Sequence, residues 1–159
     1  MTDKRPFAID VAIVRIREAI RPFPQAALFA LAEEGFSSPF ELLVACLISI
    51  RTLDAVTLSC AHRLFALART PLTMSQLTPK AMDDAIHTCT FHEAKAPQIH
   101  AIACQVVTVH GGALPCDAEI LRSFRGVGPK CANLVLGIAC QQPSIGCTAD
   151  TKRTSQFGS

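Results

Sequence analysis

The sequence has no uncharged apolar run near the roughly 18–20 residues needed to span a membrane. Its longest, Leu42 to Ile50, reads as a buried helix. The first residues, Met1-Thr-Asp-Lys-Arg-Pro, lack the apolar core of a secretory signal, which leaves a cytoplasmic protein as the expectation. No C-x-x-C pair occurs, and that argues against a zinc ribbon. His62, His87, His92, His100 and His110 contain no repeated i, i+4 ligand pair, so no metal site is expected. Blocks of like charge, internal repeats and low-complexity stretches are also absent. Charged residues make up only 18% of the 159, and half are hydrophobic. Such a chain is not disordered and is long enough for one sizeable core. A net charge of +2 permits nucleic-acid binding without demanding it.

The eight cysteines sit mostly inside apolar helical patterns, where a free thiol acts as a small hydrophobe. In a reducing cytosol they are expected to be unbridged. A cysteine-based redox or metal protein is a distant alternative.

What is present is helix after helix, so the expected class is all-α. Ile9, Ile13, Ile16 and Ile20 form a 3.6-residue stripe that Pro22 and Pro24 end. Pro24 starts a second helix that stops at Gly35. Ser38-Pro39-Phe40-Glu41 is a capping box opening a helix that is apolar nearly all round. Thr52 or Asp54 caps the next helix, which ends near Ala68. A short turn spans Thr73 to Leu77, and Thr78-Pro79 starts a helix to about Cys89. A long helix runs from about His92 to Val109 and ends at Gly111-Gly112. Asp117 caps a helix to Phe124, Arg125 to Pro129 make a hairpin, and a last helix runs from Lys130 to about Cys140.

In that hairpin, Gly126 and Gly128 allow positive φ and a close backbone approach. Val127 between them points inward and pins the two helices. The N–H groups of the two glycines, with the next helix start, make a small anion site that suits a phosphate without reading bases. A plain helical corner using glycine for the bend is the other reading of the same three residues. Pro129-Lys130 and the apolar helix after them shift the balance toward the anion site.

Leu121-Arg-Ser-Phe-Arg-Gly-Val-Gly-Pro-Lys-Cys-Ala-Asn-Leu-Val-Leu136 is similar to the Leu-Pro-Gly-Val-Gly-x-Lys-Thr-Ala-Asn-x-Val-Leu pattern of the endonuclease III family of DNA-repair glycosylases. Arg125 stands where that family usually has Pro, and Cys131 where Thr is common. Pro39 to Leu47, Ser49 to Asp54 and Phe91 to Ile99 resemble further family segments in the right order, so the likeness covers residues 25 to 146. It implies an all-α helical bundle with a helix–hairpin–helix DNA-binding motif. It also implies a base-excision repair glycosylase/AP lyase acting on double-stranded DNA with damaged or abasic sites, and a nucleoid-associated location. Oxidised pyrimidines are the expected bases.

By resemblance Lys130 is the nucleophile that attacks C1′ of a flipped nucleotide and forms a Schiff base. Gly126, Val127, Gly128, Arg125 and Lys130 contact DNA. Arg51 stands where the family often has a Gln that fills the gap left by the flipped base. Capping of the preceding helix is the alternative for Arg51, and Asp54 reads as an N-cap rather than a catalyst. The family's catalytic Asp lies in an Ile-x-Val-Asp-Thr-His turn. Asp150-Thr151 resembles its Asp-Thr but arrives late, and without a gap Thr148 takes the position. A catalytically impaired homologue that only binds DNA is therefore the second reading.

The likeness stops near Gly146, which suggests a C-terminally truncated product. Residues 1–24 then form a remnant of a second domain, 25–146 the glycosylase domain, and 147–159 an irregular tail. Full-length members carry a [4Fe–4S] cluster on a four-cysteine loop. The cysteines here do not match that loop, so no cofactor is expected in this chain. The N-terminal stripe would lose its partner surface, which points to self-association through that helix.

Overall fold

The computed structural model describes residues 7–144. Among these residues there are nine helices and no strand. They are α1 (Ile9–Ile20), α2 (Ala27–Glu33), α3 (Pro39–Ser49), α4 (Asp54–Leu67), α5 (Pro71–Ser75), α6 (Pro79–Ile86), α7 (His92–His110), α8 (Ala118–Ser123) and α9 (Pro129–Ile138). The all-α expectation holds. Three boundaries differ: α2 begins three residues after Pro24, with Ala26 extended at its N-cap, α5 starts at Pro71 under a Thr70 cap rather than at Thr73, and α6 stops at Ile86, short of Cys89.

Helix α3 is the centre of the bundle. Every residue from Phe40 to Ile48 is buried. Burying a Leu or Ile side chain contributes about 1.5–3 kcal/mol, and Leu42, Leu43, Leu47 and Ile48 are all fully enclosed. Helices α2, α4, α7 and α9 pack directly on α3. Short α5 and α6 cover α7, and α8 packs on α9.

The N-terminus of this central helix is closed by the capping box that its sequence announces. Ser38 Oγ accepts from Glu41 N at 3.2 Å, and Glu41 Oε2 accepts from Ser38 N at 3.1 Å. Glu41 is buried, and its other oxygen accepts from Arg69 Nε at 2.7 Å. Arg69 in turn lies 4.5 Å above the Phe36 ring. A buried carboxylate without such partners would strongly destabilise the fold.

Helix α1 is different: none of its residues is buried, and Ile9, Ile13, Ile16 and Ile20 are all exposed. No helix among the described residues is long and apolar enough to cross a membrane.

The expectation of unbridged thiols is corrected at one place. Cys116, just before α8, and Cys140, just after α9, form a disulfide. The hairpin reverses the chain and α8 packs on α9, so the two cysteines meet although their separation of 24 residues carries no pattern. Closing a loop of that length constrains the unfolded chain by about 3 kcal/mol. A reductant is therefore expected to lower the free energy of urea unfolding by about that amount. The Cys116→Ser/Cys140→Ser variant should show the lowered value with or without reductant.

Candidate functional site

The hairpin is built from buried anchors and an exposed tip. Asp117 Oδ1 accepts from Glu119 N at 2.8 Å and from Ile120 N at 2.9 Å, which starts α8. Leu121, Phe124 and Val127 are buried with Cys131, Ala132 and Val135 of α9. Val127 N donates to Phe124 O at 3.1 Å and closes the turn. Arg125, Gly126, Gly128 and Lys130 remain exposed. Of the two glycines only Gly126 needs positive φ, at 81°. Gly128 is extended, corrects that part of the expectation, and serves as the N-cap of α9. It brings no side-chain cap, and Pro129 has no N–H to offer, so the first turn of α9 keeps its N–H groups for an outside acceptor.

A second support comes from α7. Gln98 Nε2 donates to Arg125 O at 2.6 Å. A Cβ added at Gly126 would lie 2.2 Å from that same nitrogen, so glycine is required there for space as well as for φ. Ala94, Pro97, Gln98, Ala101, Arg125 and Gly126 line a groove of about 480 Å³ between α7 and the hairpin.

Lys130, at the second position of α9, lies on the wall of a cleft of about 350 Å³. Ser49, Thr52, Asp54, Phe29 and Leu134 line the same cleft. Asp54 is not the N-cap of α4. That position is Leu53, without a side-chain cap, and neither Thr52 nor Asp54 caps the helix as expected. Instead Asp54 Oδ2 accepts from Ala27 N at 3.4 Å, tying α4 to the start of α2 at the mouth of the cleft.

The turn between α3 and α4 carries Arg51, which is exposed with a left-handed φ of 54°. It does not cap α3. Lys95 of α7 does, donating from Nζ to Ile48 O and Ile50 O at 2.8 Å each. The Arg51 guanidinium sits 5.9 Å from the centre of the Phe91 ring. Phe91 is itself left-handed, at φ 58°, and 58% exposed. Gln98 lies seven residues further along α7 than Phe91, about 10 Å at 1.5 Å per residue. One exposed stretch of α7 thus connects the Arg51 tip to the hairpin. Among the described residues, Arg51, Arg125 and Lys130 enter no ion pair.

Sequence reading singled out Lys130, the hairpin and Arg51. It matched Phe91 and Lys95 to a family segment without giving either a role, and it passed over Gln98. A signal for Lys95 existed: it falls on the stripe of Ile99, Ile102 and Val106, where an apolar residue is expected. Asp150 lies outside the described residues.

Among the described residues the cysteines are spread over the bundle rather than gathered in one place. Among the described residues Cys116 and Cys140 are bonded to each other. Cys46, Cys60, Cys89 and Cys131 are buried on different elements. No three His, Cys, Asp or Glu among them come together to hold a metal ion. Cys46 and Cys131 do meet, Sγ to Sγ at 2.8 Å, where α3 crosses α9. The Cys46 thiol donates to Cys131 and is buried, and both effects push its pKa well above the ordinary value.

No protein-family model matches the chain. Endonuclease III of Escherichia coli (strain K12) is 34% identical over 133 residues, covering 84% of this chain and 60% of that protein. The solved structure of a non-covalent Endonuclease III–DNA complex superposes with a TM-score of 0.73 at 26% identity, over 87% of this chain and 61% of that one. A trapped Endonuclease III–DNA covalent intermediate gives a TM-score of 0.65 at 30% identity, over 69% of this chain and 51% of that one. The chain spans less than two thirds of the length of these relatives.

The contact between Gly126 and Gln98 yields a double-mutant test. Gly126→Ala is expected to destabilise the protein by about 1–2 kcal/mol from φ alone, with a further loss from the clash. In a Gln98→Ala background the clash is gone, so the same substitution should cost less in urea unfolding.

Proposed function

We propose that this chain, which is endonuclease III-like in sequence and fold, is a DNA glycosylase/AP lyase of base-excision repair. Its partner is double-stranded DNA with damaged or abasic sites, and oxidised pyrimidines are its damaged bases. The observation that carries the reading is Lys130. It follows the hairpin directly and lies on the wall of a cleft lined also by Thr52 and Asp54. The capture of an Endonuclease III as a covalent DNA intermediate supports the covalent form of the reading.

The parts divide the work as follows. The uncapped first turn of α9, with the hairpin backbone at Gly126 to Gly128, takes one phosphate by N–H donation and helix dipole. Arg125 adds charge at the same place. Arg51, resting on Phe91, fills the gap that the flipped nucleotide leaves. The neutral amine of Lys130 then attacks C1′, a C–N bond forms, and the glycosidic bond pair leaves with the base, which takes up a proton. Opening of the sugar ring and loss of a proton from nitrogen give the Schiff base, and β-elimination cleaves the strand. A carboxylate is needed to stabilise positive charge on the sugar. Asp150 is the family-like candidate, and Asp54 is the carboxylate already lining the cleft.

A second reading is a homologue that binds DNA without chemistry. The late position of Asp150 favours it. Borohydride reduction in the presence of an abasic-site duplex separates the two. The first reading expects a covalent protein–DNA product that disappears in Lys130→Ala, while salt-sensitive binding persists in that variant. Salt-sensitive binding by the unaltered protein with no trapped product would establish the second.

A further inference from the structure

Lys95 is buried, 5% exposed, in the middle of the fold. The buried carboxylate Glu41 has Arg69 as its counter-ion. Lys95 has none among the described ion pairs. Its ammonium faces neutral acceptors: Ile48 O and Ile50 O at 2.8 Å, Thr52 Oγ1 at 3.2 Å and, further off, Cys89 Sγ at 4.0 Å. A buried cation without a counter-ion carries a desolvation cost that neutral acceptors offset only in part. Burial accordingly draws the Lys95 pKa below the ordinary lysine value, with the Cys89 thiol acting the other way.

The network around this ammonium is complete. All three lysine hydrogens are donated. The Thr52 hydroxyl accepts from Lys95 and from Thr90 N at 3.2 Å, and donates to Ile50 O at 3.3 Å. It has no capacity left. Lys95 therefore ties three things together: the negative C-terminal end of α3, the turn that carries Arg51, and the turn before α7 that carries Phe91. Those two turns hold two of the three left-handed non-glycine residues among the described residues. Such backbone persists only where the surroundings over-determine it. The cation–π pair of Arg51 and Phe91 stands on the solvent side of this knot.

We propose that Lys95 is a positioning residue whose buried hydrogen bonds to Ile48, Ile50 and Thr52 fix the Arg51 turn in the shape that meets the DNA gap. The DNA half of this rests on the glycosylase reading above; the fixing of the turn does not. A tip that must enter a duplex binds better when it is ordered beforehand. Replacing Lys95 should free the turn while leaving the bundle intact, because Lys95 sits on an apolar stripe that accepts Met.

Two measurements test it, on the full chain. The first is tryptic cleavage after Arg51 in the free protein. It should be slow in the unaltered protein and at least tenfold faster in Lys95→Met, with the helical circular dichroism unchanged. If Lys95→Met does not fold, Thr52→Val takes its place, since it breaks the same knot from the exposed side. An unchanged cleavage rate in a folded variant overturns the proposal. The second is affinity for an abasic-site duplex carrying 2-aminopurine opposite the gap, in a double-mutant cycle with Arg51→Ala. Lys95→Met and Arg51→Ala should each weaken binding several-fold and abolish the same fluorescence change, and the double variant should be no worse than Arg51→Ala alone. Losses that multiply would mean that Lys95 acts apart from Arg51, and would overturn the proposal. If the unaltered protein binds no duplex, the glycosylase reading fails and takes the DNA half with it, while the tryptic measurement still decides whether Lys95 holds the turn.

Discussion

A helix enclosed along its length by its neighbours still has polar groups at both ends to satisfy. Helix α3 is such a helix, and the satisfaction of its ends organises the molecule. At the N-terminus a local device suffices. Ser38 and Glu41 serve each other, and Arg69 brings the counter-charge from the end of α4. At the C-terminus local donors reach the carbonyls of Cys46, Leu47 and Ser49, while those of Ile48 and Ile50 take a lysine buried from α7. The chain then leaves α3 through the turn that carries Arg51. The same burial that makes α3 the core thus places an outward-facing basic tip at its exit.

The other functional elements are fixed by the same helix. Helix α9 packs on α3 with Cys131 against Cys46, so the start of α9 cannot shift without disturbing the core. Lys130 precedes Cys131 on that start and is exposed where its neighbour is buried. The cleft beneath it has walls from α9, from α2 and from the turn after α3. Position is supplied by packing, and the chemistry-bearing groups stand one residue or one turn outside it.

Legibility in the sequence followed the range of the interaction concerned. Caps made by neighbours were readable: Ser38 with Glu41, Asp117 before α8, and Pro129 after Gly128. The helical class and the hairpin with Lys130 were readable for the same reason, because period and short motif are local. Lys95 fell in a recognised family segment but its role was not legible, since its partners lie 43 to 47 residues back in the chain. Gln98 was missed likewise, holding Arg125 across 27 residues. Thr52 and Asp54 were read as caps for α4 because both types favour that role. Tertiary partners took their side chains instead, Thr90 and Lys95 for one and Ala27 for the other. The disulfide was hidden because its two cysteines stand just outside helices α8 and α9, 24 residues apart, with no spacing pattern to mark them before folding.

That disulfide also changes the connectivity of the segment it encloses. From Cys116 to Cys140 the backbone and the sulfur bridge form a closed ring, with the glycine hairpin at its far side and Lys130 on its perimeter. A strand of peptide cut once is two molecules; a ring cut once is still one. A single break at exposed Arg122 or Arg125 would open the ring without parting the chain, so α8 and α9 would stay tethered to each other and to the core. The ring carries three exposed basic residues, Arg122, Arg125 and Lys130, so the sites it offers a trypsin-like protease lie on a segment whose loss requires more than one cut.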